Sequence, residues 1–237
     1  MIDSKSNEVL WVEKYRPQII EDTILPDQMK ETFRKFVKDG SVPNLLLTGG
    51  PGVGKTTVAK AMLEELGCDY IVKNGSLNVN IDTLRYDIST FASAVSLTGT
   101  GRKYVIFDEA DYLNAANVQP ALRNFIEEYS SNCGFIFTCN FKNRMIGPLR
   151  SRLSEVDFSI DTAEKPQMAM QFFKRVVAIL DNEGVEYSKP VVGKVIEKHF
   201  PDFRRVLTEL QSYAASGKID EGIFVNLAQE SIDDLFR

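Results

Sequence analysis

Gly49-Gly50-Pro51-Gly52-Val53-Gly54-Lys55-Thr56 is the stretch on which the fold turns. It matches the pattern G-x-x-x-x-G-K-[ST] in full, and its setting suits that pattern. The run before it, Asn44 to Gly49, is short, apolar and closed by glycine, while residues 54 to 66 read as a helix. Glycines let successive backbone N–H groups turn inward around a phosphate, and the next helix adds the positive end of its dipole. Lys55 is then placed to reach β- and γ-phosphates, and the Thr56 hydroxyl to hold Mg²⁺. Gly49, Gly50, Pro51, Gly52, Val53, Gly54 and Thr57 complete the cradle. A plain glycine-rich turn would need neither the strand nor the helix.

Such a site needs a second half: an acid at the end of a neighbouring strand. Val105-Ile106-Phe107-Asp108-Glu109 supplies it. Asp108 is expected to bind Mg²⁺, directly or through water, and Glu109 to polarise an attacking water as general base. Two adjacent carboxylates at a strand end could alone be a helix cap; paired with the glycine-rich loop they read as chemistry.

Further apolar runs lie at 69 to 73, 103 to 108 and 134 to 139, with a weaker one from Glu155 to Ile160. Continuous runs rich in β-branched and aromatic residues suit parallel strands buried on both faces. Helical segments fall between them. Pro26 to Asp39 places Met29, Phe33, Phe36 and Val37 on one face before Gly40 ends it, and 115 to 130 is also helical in pattern. The expectation is an α/β fold with a five-stranded parallel sheet flanked by helices. After about residue 162 the strands stop. Residues 164 to 182, 189 to 199 and 202 to 215 read as amphipathic helices, with Pro190 and Pro201 near two starts and Gly184 and Gly217 at turns. The expected domains are therefore 1–161, nucleotide-binding, and 162–237, an all-helical lid.

Composition narrows the classes. Of 237 residues, 43% are hydrophobic and 26% charged, as in an ordinary globular chain. No apolar stretch approaches the roughly 20 residues of a membrane span, and Met1-Ile2-Asp3 does not open a signal peptide. A cytoplasmic location with no membrane partner is expected. Cys68, Cys133 and Cys139 lack metal-ligand spacing and read as buried free thiols. The single histidine, His199, reads as a surface or packing residue, which excludes chemistry built on a His triad or His-rich metal site. A net charge of −5 gives no global signal for nucleic acid, so any such contact must be local.

Five further stretches carry a family resemblance. Trp11-Val12-Glu13-Lys14-Tyr15-Arg16-Pro17 resembles the WVEKYRP box that opens clamp-loader subunits, and Val105 to Asp111 resembles the Walker B box of AAA+ ATPases. Thr138-Cys139-Asn140-Phe141 resembles the sensor-1 strand end. Ile146 to Arg152 resembles the segment leading into a Ser-Arg-Cys motif, and Phe203 to Leu207 the sensor-2 helix. The order is the family's, and the match runs from residue 11 to about 210. Ile24-Leu25-Pro26, Tyr129 to Cys133 and Phe200 to Arg204 are most similar to the ATPase subunit of T-even-type bacteriophage clamp loaders, which would place the protein in the host bacterial cytoplasm.

The resemblance implies roles that the spacing does not. ATP is the nucleotide. Val12 and Arg16 would border its adenine, and Asn140 would position the water or γ-phosphate. Arg152 would be an arginine finger acting on the ATP of a neighbouring subunit, by stabilising transition-state charge. Arg204 would be the sensor-2 contact, with Arg205 the alternate. Sliding clamp, primer–template DNA and other clamp-loader subunits would be the partners, in a hetero-oligomeric ring or spiral. DNA phosphates would meet Arg85 and Arg123, with Arg102 and Lys103 as further cations nearby; such contacts read no sequence. Three departures stand out: Ser151-Arg152-Leu153 loses the cysteine of the motif, Pro201 stands where many relatives have glycine, and the family's collar domain is expected to be absent from this chain. A branch-migration helicase or helicase loader is a competing reading, which the WVEKYRP box and the Ser-Arg segment oppose. A non-hydrolysing subunit is another, opposed by Lys55, Asp108, Glu109 and Arg152.

Overall fold

A computed structural model describes residues 10–77, 81–94, 101–215 and 217–221. Its elements in chain order are α1 (Trp11–Lys14), α2 (Asp27–Lys38), β1 (Leu45–Thr48), α3 (Lys55–Glu65), β2 (Tyr70–Asn74), α4 (Ile81–Ser93), β3 (Lys103–Asp108) and α5 (Val118–Glu128). Next come β4 (Cys133–Cys139), α6 (Gly147–Arg150), β5 (Ser154–Asp157), α7 (Lys165–Asn182), β6 (Glu186–Tyr187), α8 (Lys189–His199), α9 (Phe203–Ala215) and β7 (Lys218–Ile219). No helix among the described residues is long and apolar enough to cross a membrane.

Two compact units result. The first is Pro17–Ile160, built on a five-stranded sheet in the order β2-β3-β4-β1-β5, every neighbouring pair parallel. Side chains alternate between its faces, as the strand period requires. Leu46, Val105, Phe107, Phe135 and Phe137 meet Leu84 and Ile88 of α4 and Leu122, Phe125 and Ile126 of α5. Leu45, Leu47, Tyr104, Ile106 and Ile136 meet Phe33 of α2 and Val58, Met62 and Leu63 of α3 on the other side. Strand β1 is buried throughout, which is why its sequence shows no polar alternation. The Phe107 and Phe137 rings stack with centroids 5.0 Å apart, tying β3 to β4 just before their functional ends.

The second unit takes in Arg16 and the residues before it, together with the chain from Asp161 on. Residues 10–16, which sequence order assigns to the sheet domain, thus side with the helices instead. The cause is Trp11, whose large apolar side chain is buried here and whose backbone N–H donates to Gln211 Oε1 of α9 at 3.0 Å. Lys14 Nζ and the Tyr15 hydroxyl both donate to Glu183 Oε1, at 2.7 and 2.5 Å, and hold that carboxyl below its ordinary range. Helix α7 buries Met168, Phe172, Val176, Ile179 and Leu180, a stripe at helical spacing. It packs with Val191, Val192, Val195 and Ile196 of α8, and α8 with Val206, Leu207 and Leu210 of α9. The His199 side chain is 5% exposed, with Nε2 2.5 Å from Glu209 Oε2, a packing role. The unit is not wholly helical: Glu186 and Tyr187 pair in parallel with Lys218 and Ile219. Two-residue strands are too short to leave a periodic signal in the sequence.

Candidate active site

The glycine-rich loop leaves the C-terminal end of β1 and turns directly into α3. Gly49 has φ +145°, and a Cβ there would stand 2.9 Å from the Phe158 Cβ; Gly54, capping α3, has φ +97°. A side chain would be strained at either position. The loop thereby delivers the first turn of α3, where backbone N–H groups have no intrahelical acceptor, to the sheet's C-terminal edge.

Lys55, at the start of that turn, is 8% exposed. Its ammonium donates to the carbonyl oxygens of Gly49 (2.8 Å) and Gly50 (2.6 Å) and to Asn140 Oδ1 (2.9 Å). A charge this deep needs such acceptors to offset its lost hydration. Asn140 lies just beyond β4, two strands from β2 and beside β1, so the sheet order itself brings it to the loop.

From β3 comes Asp108. Thr56 Oγ1 donates to its Oδ1 at 2.6 Å, and Thr138 Oγ1 donates to the same oxygen at 2.6 Å. Glu109 comes next with φ 54° and ψ 44°, the one non-glycine residue with positive φ among those described. Two hydrogen-bonded pairs thus stand side by side, Lys55 with Asn140 and Thr56 with Asp108, joined through the Lys55–Thr56 peptide; Glu109 follows Asp108, and Thr57 is half-buried on α3. The oxygen donors fit Mg²⁺, which takes one or two carboxylates and completes its shell with phosphate and water. No group of three or more His, Cys, Asp or Glu that could cage a metal occurs among the described residues.

Three contributors received no role in the sequence reading, although two of them lie inside its motifs. Thr138 is one. Asp111 is 5% exposed, and its oxygens accept from the backbone N–H groups of Asn140 (3.4 Å) and Phe141 (3.3 Å), steadying the turn that carries Asn140. Gln119, fully buried, donates to the carbonyls of Leu113 and Arg144 and accepts from the Ile146 N–H at 2.8 Å. It knits α5 to the segments beyond β3 and β4. The available signal was a polar residue within an apolar run: Thr138 in GFIFTC, and Asp111 as the second Asp of VIFDEAD.

Arg152 stands elsewhere. Strands β1 and β5 run parallel with Leu45 beside Ser154 and Thr48 beside Asp157. The glycine-rich loop leaves one end of this pair and Arg152 enters at the other, with three strand steps, roughly 10 Å, between. Arg152 Nε and Nη2 meet Glu127 Oε1 of α5 at 2.7 and 2.5 Å, and Nη1 donates to the Pro148 carbonyl at 2.7 Å.

On the helical unit, Val12 is half-buried on α1 and Arg16 pairs with Glu13. Arg204 and Arg205 are both exposed in the first turn of α9, where Asp202 Oδ1 accepts the Arg205 N–H at 2.9 Å, so exposure does not separate them. On the sheet unit, Arg85 of α4 is exposed with its guanidinium 6.0 Å from the Phe125 ring centre, and Arg123 of α5 is half-buried and donates to Asn124. Lys103 is not a surface cation. It is 5% exposed and donates to the Phe91 carbonyl at 2.9 Å, its charge used up inside the fold. Arg102 lies over the Tyr104 ring. All three cysteines are buried free thiols, and burial pushes Cys133 and Cys139 up to about 11.

Comparison with known proteins points the same way. Residues 45–161 match the ATPase family associated with various cellular activities, and residues 164–225 match the AAA+ ATPase lid domain of the sliding-clamp-loader large subunit. The chain is 39% identical to the sliding-clamp-loader large subunit of Enterobacteria phage T4, over 99% of this chain and 75% of that protein. It is 40% identical to that of Escherichia phage RB69, over 94% and 70%. It is 34% identical to the replication factor C small subunit of Archaeoglobus fulgidus, over 90% and 66%. Among solved structures, the Thermotoga maritima RuvB branch-migration motor superposes with a TM-score of 0.65, over 89% of this chain and 71% of that one. At 20% identity, that likeness speaks to the fold alone.

Proposed function

The chain belongs to the sliding-clamp-loader family of AAA+ ATPases, and from that premise we propose that it binds and hydrolyses ATP as a subunit of a loader that opens a sliding clamp and closes it on primer–template DNA. The observation that carries this reading is that the adjacent residues Lys55 and Thr56 donate to Asn140 Oδ1 at 2.9 Å and to Asp108 Oδ1 at 2.6 Å, respectively.

In the proposed cycle, Lys55 trades its loop-carbonyl contacts for β- and γ-phosphate oxygens, and Asn140 aligns the γ-phosphate or the attacking water. Glu109 accepts the proton of that water. Thr56 and Asp108 would hold Mg²⁺, which would supply charge neutralisation on the phosphates. Val12 and Arg16 border the adenine, and Arg204 or Arg205 senses the γ-phosphate; these three assignments rest on the family resemblance. Arg152 serves the ATP of the next subunit. Its place at the far end of β5 from its own phosphate loop supports a role in trans. ATP binding would favour the closed assembly on clamp and DNA, with phosphate contacts from Arg85 and Arg123, and hydrolysis would release the clamp.

The test is stimulation. Reconstituted with its partner subunits, the protein is expected to hydrolyse ATP faster with primed DNA and clamp together than with either alone. Stimulation by branched or single-stranded DNA without any effect of clamp would overturn the reading in favour of another AAA+ DNA machine.

A further inference from the structure

We propose that Thr138 is a positioning residue for the acid pair, its hydroxyl setting the direction in which Glu109 presents its carboxylate. This rests on the reading of Asp108 and Glu109 given above.

The peptide group between Asp108 and Glu109 is held at both ends. Its carbonyl accepts the Gly75 N–H at 2.7 Å, and its N–H donates to Thr138 Oγ1 at 3.2 Å. Glu109's own carbonyl accepts the Tyr112 N–H at 3.0 Å. These contacts have a task, because Glu109 sits in the left-handed region, which a residue with a Cβ leaves unless its surroundings keep it there. On the β2 side the approach is so close that a Cβ on Gly75 would stand 2.5 Å from the Glu109 carbonyl oxygen. On the β4 side the hold is one hydroxyl.

That hydroxyl works in both directions. An N–H can only donate, so the Glu109 amide claims a lone pair of Thr138. The Thr138 hydrogen is thereby directed to Asp108 Oδ1, which accepts it. One side chain therefore links the acid on the metal side to the main chain of the base. Thr56 donates to the same Oδ1, so Thr138 also fixes the oxygen around which the metal-side groups assemble. Packing alone does not explain a hydroxyl here: Thr138 is 2% exposed and comes after Phe135, Ile136 and Phe137 in a strand buried along its length. Valine would fill the same volume.

The experiment uses the full chain in its reconstituted assembly, comparing Thr138→Val and Thr138→Ser with Glu109→Gln as reference. Thr138→Val is expected to change ATP affinity less than kcat, because Lys55 keeps its contacts with the glycine-rich loop and Asn140. Its kcat is expected to fall at least about tenfold, the size of losing one buried hydrogen bond to a working group. Solvent exchange of the Glu109 amide hydrogen, followed by NMR, is expected to quicken by about tenfold or more in the same variant. Thr138→Ser is expected to restore both. Wild-type turnover with a protected Glu109 amide in Thr138→Val would overturn the proposal, as would a serine variant as impaired as valine. Should Glu109→Gln turn over normally, Glu109 falls as the base. The amide exchange then still decides whether Thr138 holds that backbone.

Discussion

The two ends of the β1–β5 strand pair treat charge in opposite ways. At the end where the phosphate loop leaves, Lys55 is 8% exposed and anchored on three oxygens, and Asp108 receives two hydroxyls at 2.6 Å. Near the end where β5 begins, Arg152 pairs with Glu127 and Arg150 with Glu155 across an open surface. A buried charge has one tolerable geometry, since losing a partner there leaves desolvation uncompensated. An exposed pair contributes about 1 kcal/mol or less and exchanges partners readily. On the proposed reading, the subunit's nucleotide site would thus be built in advance, whereas Arg152, proposed to serve a neighbour, rests in a contact it can leave.

The sharpest way to break this contrast is Arg152→Ala in the full assembly. Its DNA- and clamp-stimulated hydrolysis is expected to fall by on the order of 10³-fold or more, with ATP affinity of the mutated subunit and its folding nearly unchanged. Mixing these subunits with Lys55→Ala subunits is expected to recover partial activity, because some interfaces then pair an intact loop with an intact finger. A mixture as inactive as either variant, with assembly verified by sedimentation, would mean that Arg152 does not act in trans. At the other end of the pair, Glu109→Gln is expected to bind ATP normally and hydrolyse it about 10²-fold or more slowly, in the range of a lost general base. Single-turnover kinetics separate the two steps.

Removing Glu127 asks how loosely the finger is held. Glu127→Ala is expected to alter stimulated hydrolysis by no more than about fivefold, the scale of an exposed pair. A loss as deep as that of Arg152→Ala would show that Glu127 belongs to the working geometry. The smallest effect concerns acid. Hydrogen bonding first from Lys142 and then from Arg150 holds the Glu155 carboxyl below its ordinary value of 4.5. The stability this gives is present above that value and is lost as pH falls through the lowered one. Glu155→Gln is therefore expected to cost about 1 kcal/mol or less at pH 7 and nothing in strong acid, by denaturant titration across pH.

The legible features were those where one signal served two purposes. The glycine-rich loop is a motif and also a strand-to-helix turn, and β3 reads both as an apolar run and as a carrier of acids, so each could be placed by number. The residues that were not legible act through backbone. Thr138 and Asp111 organise N–H groups of Glu109, Asn140 and Phe141, and a sequence does not announce whose amide a side chain will serve. Trp11 shows a different limit. Sequence order alone assigns its box to the sheet domain, yet its backbone N–H finds an acceptor on Gln211, 200 positions later. Lys103 warns against counting cations, since a lysine at a strand start can spend its charge on a carbonyl inside.

The buried thiols make the sheet its own stopwatch. Cys133 and Cys139 bracket β4, the strand between the acid-bearing and loop-bearing ones, and with both held up at about 11 they stay protonated and covered at neutral pH. A thiol reagent can reach them only when β4 comes away from its neighbours, so the rate of labelling at these two positions, apart from Cys68, counts openings of the strand that leads to Asn140. Nucleotide that bridges Lys55 and Asn140 would slow that count, giving occupancy of the site a chemical readout that requires no turnover.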